Sequence, residues 1–402
     1  MNIKSLLIGS AAALVAVSGA RAADAIIIAE PEPVEYVRVC DAYGSGFFYI
    51  PGTETCLSIS GYVWYQIGAG SFDTTSAAGR GGDTTGYYGF RDGWNKRVRA
   101  RLNFDARSDT EWGTLRGFIR LQSDFAATNT STDGPVAVDQ GYIQLGGLMM
   151  GYSESFWADS KNGGPSNYGT HSWGGMYYGY QQRHLIGYRY NGPNGFFAAV
   201  SLEDDALAGE GYMPDVVGKI GITQGWGTVW ARVAYDESFD GSARTLSGLG
   251  GFNSGGFAAQ LGAQINVPNA PGSSLRVFFH YADGAHAYNV GGPSAIFGPT
   301  GESYYGGSEW NVLASYQHQF TSTFGASVGV QYFNDLYYAG SDVSSGVDAW
   351  AAELNMVWFP VENFEVRTEI VYTDVGAFKA PATATGNPSG TVSGFLRFTR
   401  YF

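Results

Sequence analysis

The chain has 402 residues, enough for several ordinary domains or for one large β-barrel. Charged residues make up 15% and aromatic residues another 15%, a balance too aromatic and too weakly charged for intrinsic disorder. The 36 acids against 23 bases give a net charge of −13, which argues against a nucleic-acid partner, and two cysteines exclude a disulfide-dense scaffold or a four-cysteine zinc site.

The N-terminus reads as an address. Lys4 precedes a short apolar run from Leu6 to Val17, and Ala20-Arg21-Ala22 has the form of a small-residue cleavage site. The run is too short for a membrane-crossing helix, which needs ~20 apolar residues. Residues 1–22 are therefore a secretory signal, and the mature chain begins at Ala23 with 21 bases against 36 acids, a net −15. Export makes a Cys40–Cys56 disulfide the expected state of the two cysteines, with two free thiols as the alternative. Residues 23–56 form an N-terminal unit. Within it, Glu30-Pro31-Glu32-Pro33 is an extended arm, and 35–56 form a small hairpin around a Tyr-Gly-Ser-Gly turn.

From Leu57 to the end the hydrophobic period is two. Over 98–106, Val98, Ala100, Leu102, Phe104 and Ala106 share one face while Arg97, Arg99, Arg101, Asn103, Asp105 and Arg107 share the other, a separation that a strand makes and a helix does not. The pattern predicts sixteen strands, at 57–67, 97–107, 113–125, 138–146, 147–153, 184–190, 195–204, 212–222, 226–236, 256–267, 274–283, 308–320, 324–335, 347–359, 364–374 and 391–402. Their connections alternate between short turns, such as 321–323 and 360–363, and long loops, such as 154–183. An even strand count with this alternation predicts an all-β fold, a sixteen-stranded antiparallel transmembrane β-barrel spanning 57–402 with short periplasmic turns and long extracellular loops. A soluble sandwich would also alternate, but nothing would keep every second connection short. Phe320, Phe324, Trp358 and Phe364 sit beside short turns with apolar parity, where an interfacial girdle belongs. The terminal Phe402 closes an alternating strand and looks like a bacterial barrel-assembly signal, with Arg400 a departure from the usual apolar pattern.

The segments PEPVEYVRVCDAYGSGFFYIPGTETCLSISGYV (31–63), GYMPDVVG (211–218), GWGTVWARVAYD (225–236) and RFTRYF (397–402) resemble the alphaproteobacterial porin family. The resemblance runs from signal to terminus. It implies a general-diffusion porin of the outer membrane, a homotrimer whose loop 3 folds into the lumen as a constriction. It also implies contact with outer-membrane lipid and lipopolysaccharide, assembly by the barrel-assembly machinery, and an N-terminus within reach of the cell wall, either joined to peptidoglycan through Ala23 or left as an unattached terminus.

Polar parity places Arg97, Arg99 and Arg101 on one strand and Arg116 and Arg120 on its neighbour, so that five guanidiniums form a basic wall. Arg189, Lys219, Arg232 and Arg367 add cations of the same parity elsewhere. The loop 154–183 carries Glu154 and Asp159 near its start, and an acidic loop facing a basic wall sets a transverse field across an eyelet. The alternative role for the arginines is to satisfy lumen acids such as Asp105 and Asp124. The same loop carries Phe156, Trp157, Tyr168, Trp173, Tyr177, Tyr178 and Tyr180, which either pin it to the inner wall or form a stacking track for sugars. Catalysis finds no support: the five histidines form no motif with serine or acid, and neither G-x-S-x-G nor H-E-x-x-H occurs. No cofactor or metal is expected. The competing non-transport reading is a barrel that anchors the envelope or acts as an adhesin, which needs no charged hollow lumen.

Overall fold

The structure is a computed structural model and describes residues 38–71, 93–125, 135–159, 176–204, 213–237, 255–290, 305–338, 342–375 and 391–402. The anticipated signal 1–22, Ala23, the Pro/Glu arm, Tyr168 and Trp173 lie outside these residues. A short strand β1 (Phe47–Tyr49) precedes the long ones. The first quarter of the barrel is β2 (Cys56–Ser71), β3 (Gly93–Thr110), β4 (Gly113–Phe125) and β5 (Ala137–Leu145). Next come β6 (Leu148–Glu154), β7 (Gln182–Asn191), β8 (Phe196–Asp204) and β9 (Asp215–Gln224). Then follow β10 (Gly227–Asp236), β11 (Gly256–Asn266), β12 (Ser274–Ala282) and β13 (Tyr305–Gln319). The ring ends with β14 (Phe324–Tyr338), β15 (Ala349–Val361), β16 (Phe364–Val375) and β17 (Thr391–Tyr401). All sixteen strands anticipated from the period are present.

Each strand from β2 to β17 pairs antiparallel with its neighbours in sequence, and β17 pairs back onto β2 from Val392↔Ser71 to Tyr401↔Tyr62. Closure leaves the ring without a free edge, which is the condition for a sheet to stand in hydrocarbon. Two backbone bonds finish the seam: Gly61 N–H donates to Phe402 C=O at 2.9 Å, and Phe402 N–H donates to Gly61 C=O at 3.1 Å. A side chain at Gly61 would not fit, because a Cβ there would lie 2.1 Å from the Arg101 carbonyl oxygen and 3.1 Å from the Phe402 ring.

The two faces of the sheet follow the parity of the sequence. Ile59, Val63, Leu102, Ile119, Leu261 and Val328 are exposed on the outside. Trp64, Arg99, Lys219, Arg232, Gln331 and Glu369, of the opposite parity, are buried inside. Of the rings anticipated as a girdle, Phe320 stacks on Phe324 at 5.5 Å beside the turn 321–323, Trp358 stays exposed one strand away, and Phe364 stacks on Phe398 at 6.5 Å.

The hairpin extends this seam. Phe47–Tyr49 pair with Ser58–Cys56, below the point where β17 ends, and Cys40 is bonded to Cys56. The Arg107 guanidinium, of lumen parity, lies 5.0 Å from the Phe47 ring and 5.7 Å from the Tyr43 ring. The Tyr43 hydroxyl donates to Asp109 Oδ1 at 2.7 Å. The hairpin thus sits over the interior face of β3, at the barrel end that carries the short turns.

Candidate functional site: an eccentric, arginine-lined lumen

Loop 3 leaves β6 and turns inward at once. Ser155 N–H donates to Gln181 C=O at 3.1 Å, which closes the base of the loop, and Asp159 N–H donates back to Ser155 C=O at 2.8 Å. Phe156 and Trp157 are fully buried within the barrel. The wall that receives them is polar: Phe156 N–H donates to Glu203 Oε1 on β8 at 2.9 Å, Arg232 on β10 donates to the Trp157 carbonyl, and Lys219 Nζ on β9 donates to the Asp159 carbonyl at 3.2 Å. The Arg189 guanidinium on β7 pairs with the Asp159 carboxylate and stacks 3.9 Å above the Phe156 ring.

The returning half of the loop is fixed elsewhere. Met176 N–H donates to Glu353 Oε2 on β15 at 2.9 Å. The Gln331 side chain on β14 bonds both backbone groups of Tyr177, at 2.8 and 2.7 Å. In a ring of sixteen, β14 is diametrically opposite β6. Residues 177–182 therefore carry the chain across the lumen, a reach of about 17 Å at ~3.4 Å per extended residue. Gly179 is the required residue on this strap. Its φ is +84°, and a Cβ there would lie 2.7 Å from Trp157 Nε1.

The lumen-facing side chains differ in how far they are covered. Lumen-facing Glu203, Lys219, Arg232, Gln260, His280, Asn311 and Gln331, running from β8 to β14, are each 2% exposed or less. By contrast Arg97, Arg101, Arg116 and Arg120 on β3 and β4 keep between 14% and 18% of their side-chain surface open, while Arg99 between them keeps 9%. Among the described residues, the wall of β3 and β4 is thus less covered than that of β8 to β14, and Arg367 on β16 keeps a similar 19% of its side chain open. Burial, followed by the Glu154 and Asp139 carboxylates, pushes the Tyr180 hydroxyl above its ordinary range, and Arg120 and Arg101 oppose the shift. The end of the strap lies beside the wall, since Gln181 C=O accepts from Ser155, the neighbour of Glu154, which is 3.8 Å from Arg120.

The five anticipated arginines are together, and each has a carboxylate near it. Asp124 Oδ1 accepts from Arg97 Nε at 3.1 Å and from Arg99 Nε at 2.7 Å. Asp105 accepts from Arg116 and Arg107, both with paired nitrogens. Asp139 lies 3.5 Å from Arg101 and 3.4 Å from Arg120. Asp139 escaped the sequence pattern because the β4–β5 register shifts between Arg120 and Leu121, so that Val138 points outward while Asp139 reaches the inside. Rings hold the guanidiniums flat: Arg99 and Arg397 lie 5.3 and 4.8 Å from the Trp64 ring, and Arg101 lies 5.1 Å from that of Tyr62. Of the two anticipated loop acids, Glu154 faces the wall, 3.8 Å from Arg120. Asp159 is 1% exposed and is spent on Arg189, so it anchors the loop instead of facing the opening. The cations Arg189, Lys219 and Arg232 have the same anchoring use, which parity alone does not reveal.

A closed sheet with an apolar outside, a charged inside and an internal loop that narrows the lumen defines a membrane pore. The family model of the porin subfamily matches residues 24–394. Porin Omp2b of Brucella canis, Brucella suis biovar 1 and Brucella abortus are each 34% identical over 431 aligned positions, covering all of this chain and all of theirs. The chain belongs to this porin family, and it is an outer-membrane channel for passive diffusion. Among solved structures, the outer membrane channel DcaP of Acinetobacter baumannii shares the fold with a TM-score of 0.60 and 15% identity over 88% of this chain and 99% of its own. The anion-selective porin from Comamonas acidovorans shares it at 0.55 and 11%, over 87% of this chain and all of its own. A trimer form of OmpT from Vibrio cholerae shares it at 0.55 and 12%, over 87% and 100%.

Proposed function

We propose that small hydrophilic solutes and ions cross through the eccentric opening beside Arg97, Arg99, Arg101, Arg116 and Arg120, opposed by Glu154, with the chain assembled as a homotrimer. The observation that carries this reading is the contrast between the open guanidiniums of β3–β4 and the covered lumen of β8–β14. A paired wall keeps its charges in place without closing the path, since guanidiniums held by carboxylates and rings do not swing across the opening. Purified protein in liposomes should admit small sugars and salts without energy. Impermeability to both would refute the proposal and favour an anchor or adhesin.

The sugar-track alternative loses two of its rings, because Phe156 and Trp157 are 0% exposed and present no face to a solute. Maltodextrin should therefore give no saturable block of current, and a micromolar block would restore that reading. The assembly partners are outer-membrane lipid, lipopolysaccharide and the machinery that reads Phe402. Ala23 is the proposed point of attachment of the mature N-terminus to peptidoglycan, with an unattached terminus as the alternative. Lysozyme digestion of purified walls should release a muropeptide carrying Ala23; a free amine on every copy would remove the tether and leave the pore untouched. No step of this function requires catalysis or a cofactor.

A further inference from the structure

Loop 3 is not the only segment inside the barrel. The chain leaving β12 at Ala282 also turns inward, and Tyr288 and Val290 are 0% exposed. Every strand beneath this segment gives it a bond. Ala287 N–H donates to Asp236 Oδ2 on β10 at 2.7 Å, the Tyr288 hydroxyl donates to Asp215 Oδ2 on β9 at 2.9 Å, and Val290 N–H donates to His280 Nε2 on β12 at 3.2 Å. Asn289 Nδ2 reaches the carbonyls of Gly284 at 2.7 Å and Ser308 at 3.1 Å.

This second segment is built against the first. The Trp157 indole lies edge-on to the Tyr288 ring at 6.0 Å and to the His280 ring at 5.6 Å. Glu203 joins the two loops through one carboxylate: Oε1 accepts the Phe156 amide at 2.9 Å, and Oε2 lies 3.4 Å from the Tyr288 hydroxyl. At Gly179 on the crossing strap, the nearest atoms beyond Trp157 belong to Val290. Trp157 is thus held between the strap in front and residues 283–290 behind.

We infer that residues 283–290 are a second inward loop that sets the width of the opening by bracing Trp157 and hence the strap 176–181, with Tyr288 as its positioning residue. The inference rests on the channel reading above and adds to it a determinant remote from the basic wall. Tyr288 touches neither the wall nor the solute path; it acts through Trp157. Without its ring the indole keeps only the His280 edge on that side, and the strap is free to relax into the volume left by Tyr288.

The test is single-channel recording of the purified trimer with Tyr288→Ala, Trp157→Ala and the double variant, each first shown to migrate as a folded barrel before heating. Because conductance follows the narrowest section of a pore, each single variant should raise unit conductance by on the order of 1.5-fold. The double variant should rise no further, since both substitutions release the same support. Tyr288→Phe keeps the ring and loses only the bonds to Asp215 and Glu203; it should show the wild-type conductance with added open-channel noise. Unchanged conductance in both Ala variants, or a double variant equal to the product of the singles, would overturn the inference while the channel reading stands. If Tyr288→Ala fails to assemble, the noise of Tyr288→Phe decides, and a wild-type trace overturns the inference. A silent wild-type protein would instead refute the channel reading itself.

Discussion

Asp124 is the most informative single charge on the basic wall, because one of its oxygens accepts from both Arg97 and Arg99. Among the side chains at the wall, six guanidiniums (Arg97, Arg99, Arg101, Arg107, Arg116 and Arg120) face four carboxylates (Asp105, Asp124, Asp139 and Glu154), a surplus of two cations. Asp124→Asn raises the surplus to three. The double variant Arg97→Gln/Arg99→Gln removes it. For an ion passing about 5 Å from the altered charge in a water-like medium, the Coulomb energy is ~0.8 kcal/mol, and screening at 0.1 M salt leaves ~0.5 kcal/mol. That energy favours the anion and disfavours the cation alike, so the anion-to-cation permeability ratio changes by about 5-fold per unit charge. Zero-current potentials across a planar bilayer in a KCl gradient should therefore move toward the anion limit for Asp124→Asn and toward the cation limit for the double variant. At 1 M salt the Debye length of ~3 Å reduces the change to below about 2-fold. Potentials unmoved at low salt in both variants would place these charges away from the ion path and refute the eccentric opening.

Reducing the Cys40–Cys56 bond should expose residues 38–55 to protease while the barrel stays folded, since closing so short a loop contributes ~3 kcal/mol; a hairpin as resistant as before would show that its packing suffices. Burial and then the Asp109 hydrogen bond push Tyr43 up to about 12 from an ordinary 10.0. The folded hairpin therefore holds this proton more tightly than the unfolded one, and the stabilisation is complete below pH 10.0 and lost as pH rises through about 12. The tyrosinate absorbance difference between wild type and Tyr43→Phe should titrate near the higher value; a midpoint at the ordinary one would refute the contact. Gly61→Val should cost roughly 1–3 kcal/mol or block closure, because its Cβ meets the Arg101 carbonyl oxygen; the folded band on unheated gels reads it, and a wild-type band would contradict the seam geometry.

The barrel was legible because parity is imposed by the two solvents it separates. Ile59, Leu102 and Ile119 must face hydrocarbon and Arg97, Arg99 and Arg101 must not, so the sequence carries the strand pattern on its surface. The pairing of β3 with β4, and with it the cluster of five arginines, followed from adjacency alone. What parity does not encode is which lumen charges meet water and which meet a loop. Arg120 and Arg232 look alike in the sequence, yet one keeps 18% of its side-chain surface open and the other is buried under Trp157. The same limit concealed Asp159, which reads as an eyelet acid until Arg189 is seen beside it. Asp139 was hidden by a one-residue shift of register, which reverses parity locally. The inward turn of 283–290 leaves no periodic trace, because its bonds run to Glu203, Asp215 and Asp236, acids that the sequence shows only as strand ends.

The most direct measurement of the central claim uses the absence of any free thiol, since Cys40 and Cys56 are the only cysteines and are bonded to each other. Arg101→Cys places a thiol on the β3 wall, and Gln260→Cys places one on the covered side, each in a conducting channel. A charged methanethiosulfonate reagent added during recording should lower the current of Arg101→Cys in steps, one for each protomer modified, and leave that of Gln260→Cys unchanged. Steps at Gln260→Cys with none at Arg101→Cys would put the solute path on the other side of loop 3 and contradict the account.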